Sequence, residues 1–219
     1  MTFIPYPDSE LLMMDLAGRI AEELEGTLHH EDRATLAVPG GTTPGPLFDE
    51  LSAADLDWSR VDVILTDERR VPSDHPRSNE RLLRERLLVS RAAKANFLRL
   101  VPDDISMDQV NERAKKALPI SVLLLGMGAD MHTASIFPGS QHLEAALDRN
   151  APPVLLVDAS GDLEPRITLT GPSLRGAINA HVLIVGQGKK DAYEAARHLK
   201  PTEAPIALVL GNATTHWAP

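Results

Sequence analysis

Cysteine is absent from the 219 residues. That excludes disulfides and thiolate metal sites, and it makes a reducing compartment the comfortable setting. Aromatic residues make up only 4% of the chain, so leucine, valine, isoleucine and alanine must fill the core that a 43% hydrophobic composition allows. No apolar run approaches the ~20 residues of a membrane span. The opening "MTFIPYPDSE" lacks the basic and apolar regions of a secretory signal. A cytoplasmic protein without membrane contact is the expectation. Positive charge is also short, with a formal net charge of −9. That argues against sequence-independent nucleic-acid binding, which needs a basic face. An anionic ligand would have to be held by a local cluster of positive groups.

What is present is an alternation of strand-like and helix-like segments. Ser9 to Glu25 carries Leu12, Leu16, Ile20 and Leu24 at helical spacing, with Ser9 as the cap. "ATLAV" (34–38) and "RVDVILT" (60–66) read as strands, and "PGPLFDELSA" opens a helix with proline near its start. Ser78 to Ser90 sets Leu82, Leu83, Leu87 and Leu88 on one helical face. Ser106 with Gln109 makes a capping-box pattern before a helix ending near Leu118. Ile120–Leu125, "PVLLV" (153–157), "RITLT" (166–170) and "HVLIV" (181–185) read as further strands. Helices are expected around Leu143–Leu147 and from Lys189 to Leu199, while "IALVL" near the end fits either type. The alternation predicts one α/β domain over residues 1–219, with a doubly wound, mainly parallel sheet. Ligands of such sheets sit outside the carboxyl ends of the strands.

Three strand-ending loops could carry chemistry. In "VPGGTTPG" (38–45), Gly40 and Gly41 let backbone N–H groups approach an anion, and Thr42 and Thr43 add hydroxyls before a helix start. It is not a P-loop, because the Gly-Lys-Ser/Thr ending is missing. Without a ligand it is an ordinary strand-to-helix turn. "TDERRVPSDHPRSNERLL" (66–83) packs charges directly after a strand, either as a solvated loop or with Asp67 at the edge of the sheet. "SVLLLGMGADMHTASIFPG" (121–139) places His132 among small and polar residues just beyond a core strand. A dinucleotide fingerprint would need a third glycine where Met131 stands, so nicotinamide binding is rejected there. Ser135 is not in a nucleophile elbow. His132 and His142 lack helical zinc spacing. His132 is then either a hydrogen-bonded structural group or a catalyst.

Together the loops resemble the 6-phosphogluconolactonase family. The matches are "GGTTP", "DERRVP" with "SN" (78–79), "GMGADMHTASIFPG", "RITLT" and "GQGKK" (186–190), spread over most of the chain. The chain departs from the family at Met131, where glycine usually precedes the histidine. A positive φ there would strain a methionine. The resemblance implies a Rossmann-like sheet related to glucosamine-6-phosphate deaminase and ribose-5-phosphate isomerase. It also implies hydrolysis of a sugar-phosphate lactone in the oxidative pentose phosphate pathway, with no metal or organic cofactor required.

A lactone needs an activated water and donors for an oxyanion, and one histidine suffices as base near neutral pH. His132 is therefore expected to be the general base. Asp130 or Asp67 would orient its ring or position substrate hydroxyls, and amides near Gly40 and Gly41 or at the Gly126–Gly128 turn would be oxyanion donors. Arg69, Arg166 and Lys189, with the Gly40–Thr43 loop, would hold the phosphate. Oligomeric state is left between monomer and homodimer. One rival is an amino-sugar-phosphate isomerase or deaminase, whose corresponding loop resembles "GHIAFNEP". This chain has "MHTASIFP", with no acid at that point. The other is a non-catalytic sugar-phosphate sensor. The chain begins almost at its first core helix, which leaves no room for a helix-turn-helix.

Overall fold

The computed structural model describes residues 1–101, 105–158 and 164–219. In chain order the strands are β1 (Thr2–Pro5), β2 (Ala34–Val38), β3 (Val61–Leu65), β4 (Asp67–Arg69), β5 (Asn96–Leu98), β6 (Val122–Gly126), β7 (Val154–Val157), β8 (Arg166–Leu169), β9 (Asn179–Val185) and β10 (Thr214–Ala218). The helices are α1 (Ser9–Leu28), α2 (Gly45–Ser52), α3 (Asn79–Arg86), α4 (Met107–Lys115), α5 (Leu143–Leu147), α6 (Gly171–Arg175), α7 (Gln187–Ala196) and α8 (Ala207–Leu210). Among the described residues no helix is long and apolar enough to cross a membrane.

Seven strands form one sheet in the order β1-β10-β9-β6-β2-β3-β5, and every neighbouring pair in it is parallel. β2 and β3 are buried at every position, as strands covered on both faces must be. Leu12, Leu16, Ile20 and Leu24 of α1 are fully buried, as their spacing predicts. The cap of that helix is Asp8, whose carboxylate accepts the Leu11 N–H at 2.8 Å, and not Ser9, which lies one residue inside the helix. The capping box at Ser106 and Gln109 is present, and "IALVL" becomes the helix α8.

From β2 the chain winds outward through β3 to β5. It then returns to the other side of β2 and winds the opposite way through β6 and β9. The loops after β2 and β6 therefore leave adjacent strands and diverge, which opens a crevice at the carboxyl edge of the sheet.

A second, smaller sheet is antiparallel, beside a large sheet that is parallel throughout, as a mainly parallel reading allows. β4, β8 and β7 pair antiparallel and stand apart from the large sheet. Thr66, fully buried, is the bend between the two sheets. Its N–H donates to Val38 O at 2.8 Å, continuing the parallel ladder, while its carbonyl accepts Leu169 N–H at 2.8 Å from the small sheet. The small sheet thereby overhangs the mouth of the crevice. β1 and β10 were not legible as strands, and β1 sets a sheet strand before the first helix.

Candidate active site

The small sheet presents one wall of the crevice. Side chains alternate along a strand, so Asp67 and Arg69 share one face and Glu68 takes the other. Glu68 is buried and accepts N–H bonds from Arg69 (2.7 Å), Asn79 (2.9 Å) and Glu80 (2.6 Å), and the Ser78 hydroxyl at 3.0 Å. Burial pushes its carboxyl up, and these donors oppose that shift. Glu68 thus anchors the start of α3 and faces away from the crevice.

Across the sheet Arg69 lies directly opposite Arg166, and Asp67 opposite Thr168. Like charges in facing positions destabilise a sheet. Burial first, then Arg69, push the Arg166 guanidinium down from its ordinary value. Among the described residues, the Nε groups of both arginines are buried without a hydrogen-bond partner. Asp67 offsets only part of this. Its Oδ2 accepts the Ser135 hydroxyl at 2.6 Å, and that hydroxyl accepts Arg166 N–H at 3.4 Å. Two facing guanidinium groups with unsatisfied buried N–H donors are what an anion site requires.

The loop after β6 supplies the second wall. Gly128 N–H donates to His132 O at 2.9 Å and Met131 N–H donates to Gly128 O at 3.0 Å, closing a tight ring of backbone. The Gly128 amide is thereby spent, which removes it from the expected oxyanion donors. A Cβ on Gly128 would lie 2.1 Å from His132 Nδ1 and 2.2 Å from Asp130 Oδ1, so the histidine–aspartate pair packs on bare backbone.

His132 Nδ1 meets Asp130 Oδ1 at 2.5 Å. Burial works to raise the Asp130 carboxyl, but the bond and charge of His132 prevail and hold it below the ordinary carboxylate range. An ionised Asp130 can only accept, so it is Nδ1–H that faces it, and Nε2 is the ring nitrogen left to face a substrate. Asp67 does not touch the imidazole. Its partners are Ser135 and Thr66.

Met131 has φ +67°, the left-handed conformation that glycine would adopt freely. Its side chain packs against the core, and its carbonyl accepts Ile206 N–H at 3.1 Å. Relief of a left-handed methionine amounts to about 1–2 kcal/mol, offset by about 0.5–1 kcal/mol for glycine's lost chain entropy and by the lost apolar contact. Met131→Gly is expected to leave the melting temperature within a few degrees and activity equal or higher. A fall in activity in a steady-state assay would mean that the methionine side chain is needed where it packs.

The third wall comes from the loop after β2 and the start of α7. Gly41 has φ +84°, and a Cβ on Gly40 would collide with Asn79 at 1.9 Å. Asn79 donates to Asp67 O at 2.9 Å, which fixes the side chain that Gly40 packs against. Among the described residues, the Gly40 and Gly41 amides have no partner. Lys189 donates to the Met127 carbonyl, and burial pushes its ammonium down while Asp130 works to raise it.

A cleft of about 230 Å³ is lined by Gly40, Gly41, Thr43, Asp67, Arg69, His132, Arg166 and Lys189 together with Asn79. Thr42 is exposed and stands outside this lining, and Asp130 reaches the cleft only through His132. A larger cavity of about 730 Å³ lies near the end of α1, bounded by Trp58 and Lys94. Its Arg60 and Arg91 are already bonded, to backbone carbonyls and to Asp55, so it offers no comparable anion site. Asn79 enters the sequence reading only within a quoted motif and Ser135 only as a rejected nucleophile, so the bonds of both to Asp67 are new from the fold.

A model of the family described as glucosamine-6-phosphate isomerases/6-phosphogluconolactonase matches residues 7–217. A 6-phosphogluconolactonase of Rhizobium meliloti is 39% identical over 93% of this chain and 93% of its own. One of Pseudomonas putida is 37% identical over 97% of this chain and 90% of its own. The crystal structure of a 6-phosphogluconolactonase from Shewanella baltica superposes with a TM-score of 0.93 at 33% identity, covering 100% of this chain and 98% of that one.

Proposed function

The chain belongs to the glucosamine-6-phosphate isomerase/6-phosphogluconolactonase family, and we propose that it hydrolyses 6-phospho-D-glucono-1,5-lactone to 6-phospho-D-gluconate in the cytoplasmic oxidative pentose phosphate pathway. One observation carries this reading above the others. An imidazole oriented by a carboxylate shares a small cleft with two facing, under-satisfied arginines. The loop also favours hydrolysis over isomerisation, because the carboxylate beside His132 is Asp130, which is tied to the imidazole itself.

In this mechanism His132 Nε2 takes a proton from water as the oxygen attacks C1 of the lactone. The carbonyl oxygen becomes an oxyanion, for which the free Gly40 and Gly41 amides are the donors at hand. The ring C–O bond then breaks, and the imidazolium returns its proton to the departing ring oxygen. A carboxylic acid and a hydroxyl result, the acid loses its remaining proton to solvent as the carboxylate, and the histidine is regenerated. No covalent nucleophile is used. Arg69, Arg166 and Lys189 hold the phosphate, and Asp67 accepts from substrate hydroxyls.

The test is a coupled assay fed with freshly made lactone and corrected for its spontaneous hydrolysis. Arg69→Ala, Arg166→Ala and Lys189→Ala should each raise KM. A charged hydrogen bond contributes roughly 1.5–3 kcal/mol, or about ten- to a hundredfold. Unphosphorylated gluconolactone should be a poor substrate for the wild type. Equal kcat/KM for the two lactones would defeat the assignment.

A further inference from the structure

The ring of Phe137 touches two residues of the cleft lining, His132 and Arg166. Its centroid is 4.6 Å from that of the His132 imidazole, tilted by 41°. The Arg166 guanidinium carbon stands 5.3 Å from the same ring centroid. The local chain is bent to allow this. Ile136 N–H donates to Thr133 O at 3.0 Å, and Ala134 is forced to φ +48° between them. A non-glycine residue at positive φ persists only where its surroundings over-determine it. Here the turn folds Phe137 back over the histidine that precedes it by five residues.

We propose that Phe137 is a positioning residue that sets the imidazole and the phosphate-binding guanidinium at a fixed spacing. This rests on the lactonase reading for its kinetic consequence, though not for its geometry. The ring bars His132 from rotating away from Asp130, since one face of the imidazole meets the aromatic surface. The same ring draws the Arg166 cation. Arg166 needs that support, because Arg69 faces it across the sheet and its Nε has no partner among the described residues. A substrate gripped at its phosphate then presents its distant lactone carbon at a distance from His132 fixed by one rigid ring. Small displacements of a reacting group are costly to rate.

Phe137→Leu keeps apolar volume and removes the aromatic face, while Phe137→Tyr retains it. Phe137→Leu should raise KM about three- to tenfold, the range of a cation–π contact, and lower kcat about tenfold. Phe137→Tyr should restore both. In an Arg166→Ala background Phe137→Leu should lower kcat alone, because its partner in the KM effect is gone. Two readouts need no turnover. The His132 imidazole proton resonances should move when the ring current is removed, and the affinity for 6-phosphogluconate should fall by the same factor as KM rises. An unchanged kcat, an equal KM rise in the Arg166→Ala background, or unmoved His132 resonances would each overturn the proposal. If the wild type fails to turn over lactone, the function falls, and the resonances and the 6-phosphogluconate affinity still decide the role of Phe137.

Discussion

His132→Ala is expected to cut lactone hydrolysis by roughly 10²–10⁴, the usual contribution of a positioned general base, while the fold and phosphate binding survive. The residue lies in a loop beyond β6, with its side chain 31% exposed, so its removal empties no core space. The phosphate cluster of Arg69, Arg166 and Lys189 stands on other elements, and 6-phosphogluconate affinity should stay within a few-fold of the wild type. The measured drop is bounded by spontaneous lactone hydrolysis, so the rate must be taken above that floor. Asp130 is held below the ordinary carboxylate range, so the acceptor that orients the imidazole stays ionised on mild acidification. A variant that binds 6-phosphogluconate normally and still hydrolyses at the wild-type rate removes His132 from the mechanism. Asp67 would then be the candidate base, since both oxygens of Glu68 are spent on the start of α3.

The parts of this molecule that could be read from sequence are those whose cause is local. The Leu–Val runs of β2, β3 and β6 and the leucine spacing of α1 announce their own burial. The glycine loops announce close approaches, and Gly40 and Gly128 indeed sit where any Cβ would collide. β10 was missed because "TTHWA" puts threonines and a histidine where a buried strand normally carries aliphatic residues. Its histidine is tolerated only because partners distant in sequence satisfy it. β7 and β8 were legible as strands, but nothing local says that they pair antiparallel with the charged segment Asp67–Arg69. That pairing places Arg69 opposite Arg166, so the most telling feature of the cleft was a long-range fact. The motifs named its residues, while only the fold could show that two cations face each other and that Asp130, not Asp67, holds the imidazole.

The other large effect should be on stability in acid, through a group far from the cleft. His216 on β10 is fully buried. It belongs to a hydrogen-bonded chain that runs from α1 to β9. Tyr6 donates to Asp15 at 2.5 Å, His216 Nδ1 meets the Tyr6 oxygen at 3.0 Å, and His216 Nε2 meets His181 Nδ1 at 3.1 Å. His181 Nε2 in turn meets Glu23 at 2.8 Å. Tyr6, raised by burial and by Asp15 to about 12, stays a donor. Burial first, then His181 and Arg19, push the His216 imidazole down to about 3, with Asp15 opposing. An unfolded chain returns it to about 6.5. Below that pH the unfolded state takes a proton that the folded state refuses, so stability present above pH 6.5 is lost as the pH falls towards 3. At about 1.4 kcal/mol per pH unit the full loss is about 5 kcal/mol, comparable to the lower end of a domain's whole stability. Between pH 6.5 and about 4.5 the share of this group in the loss is roughly 3 kcal/mol. Asp15, Asp62 and Asp130 are held low and give up their contributions only below the ordinary carboxylate range, while Glu68, pushed up, works the other way as it takes its proton. Urea midpoints measured across that window should fall steeply for the wild type. His216→Phe should be less stable at pH 8, because the Tyr6 oxygen and His181 Nδ1 each lose a buried partner, and its midpoint should fall less steeply with pH. Parallel slopes for the two proteins would show that the acid sensitivity arises elsewhere.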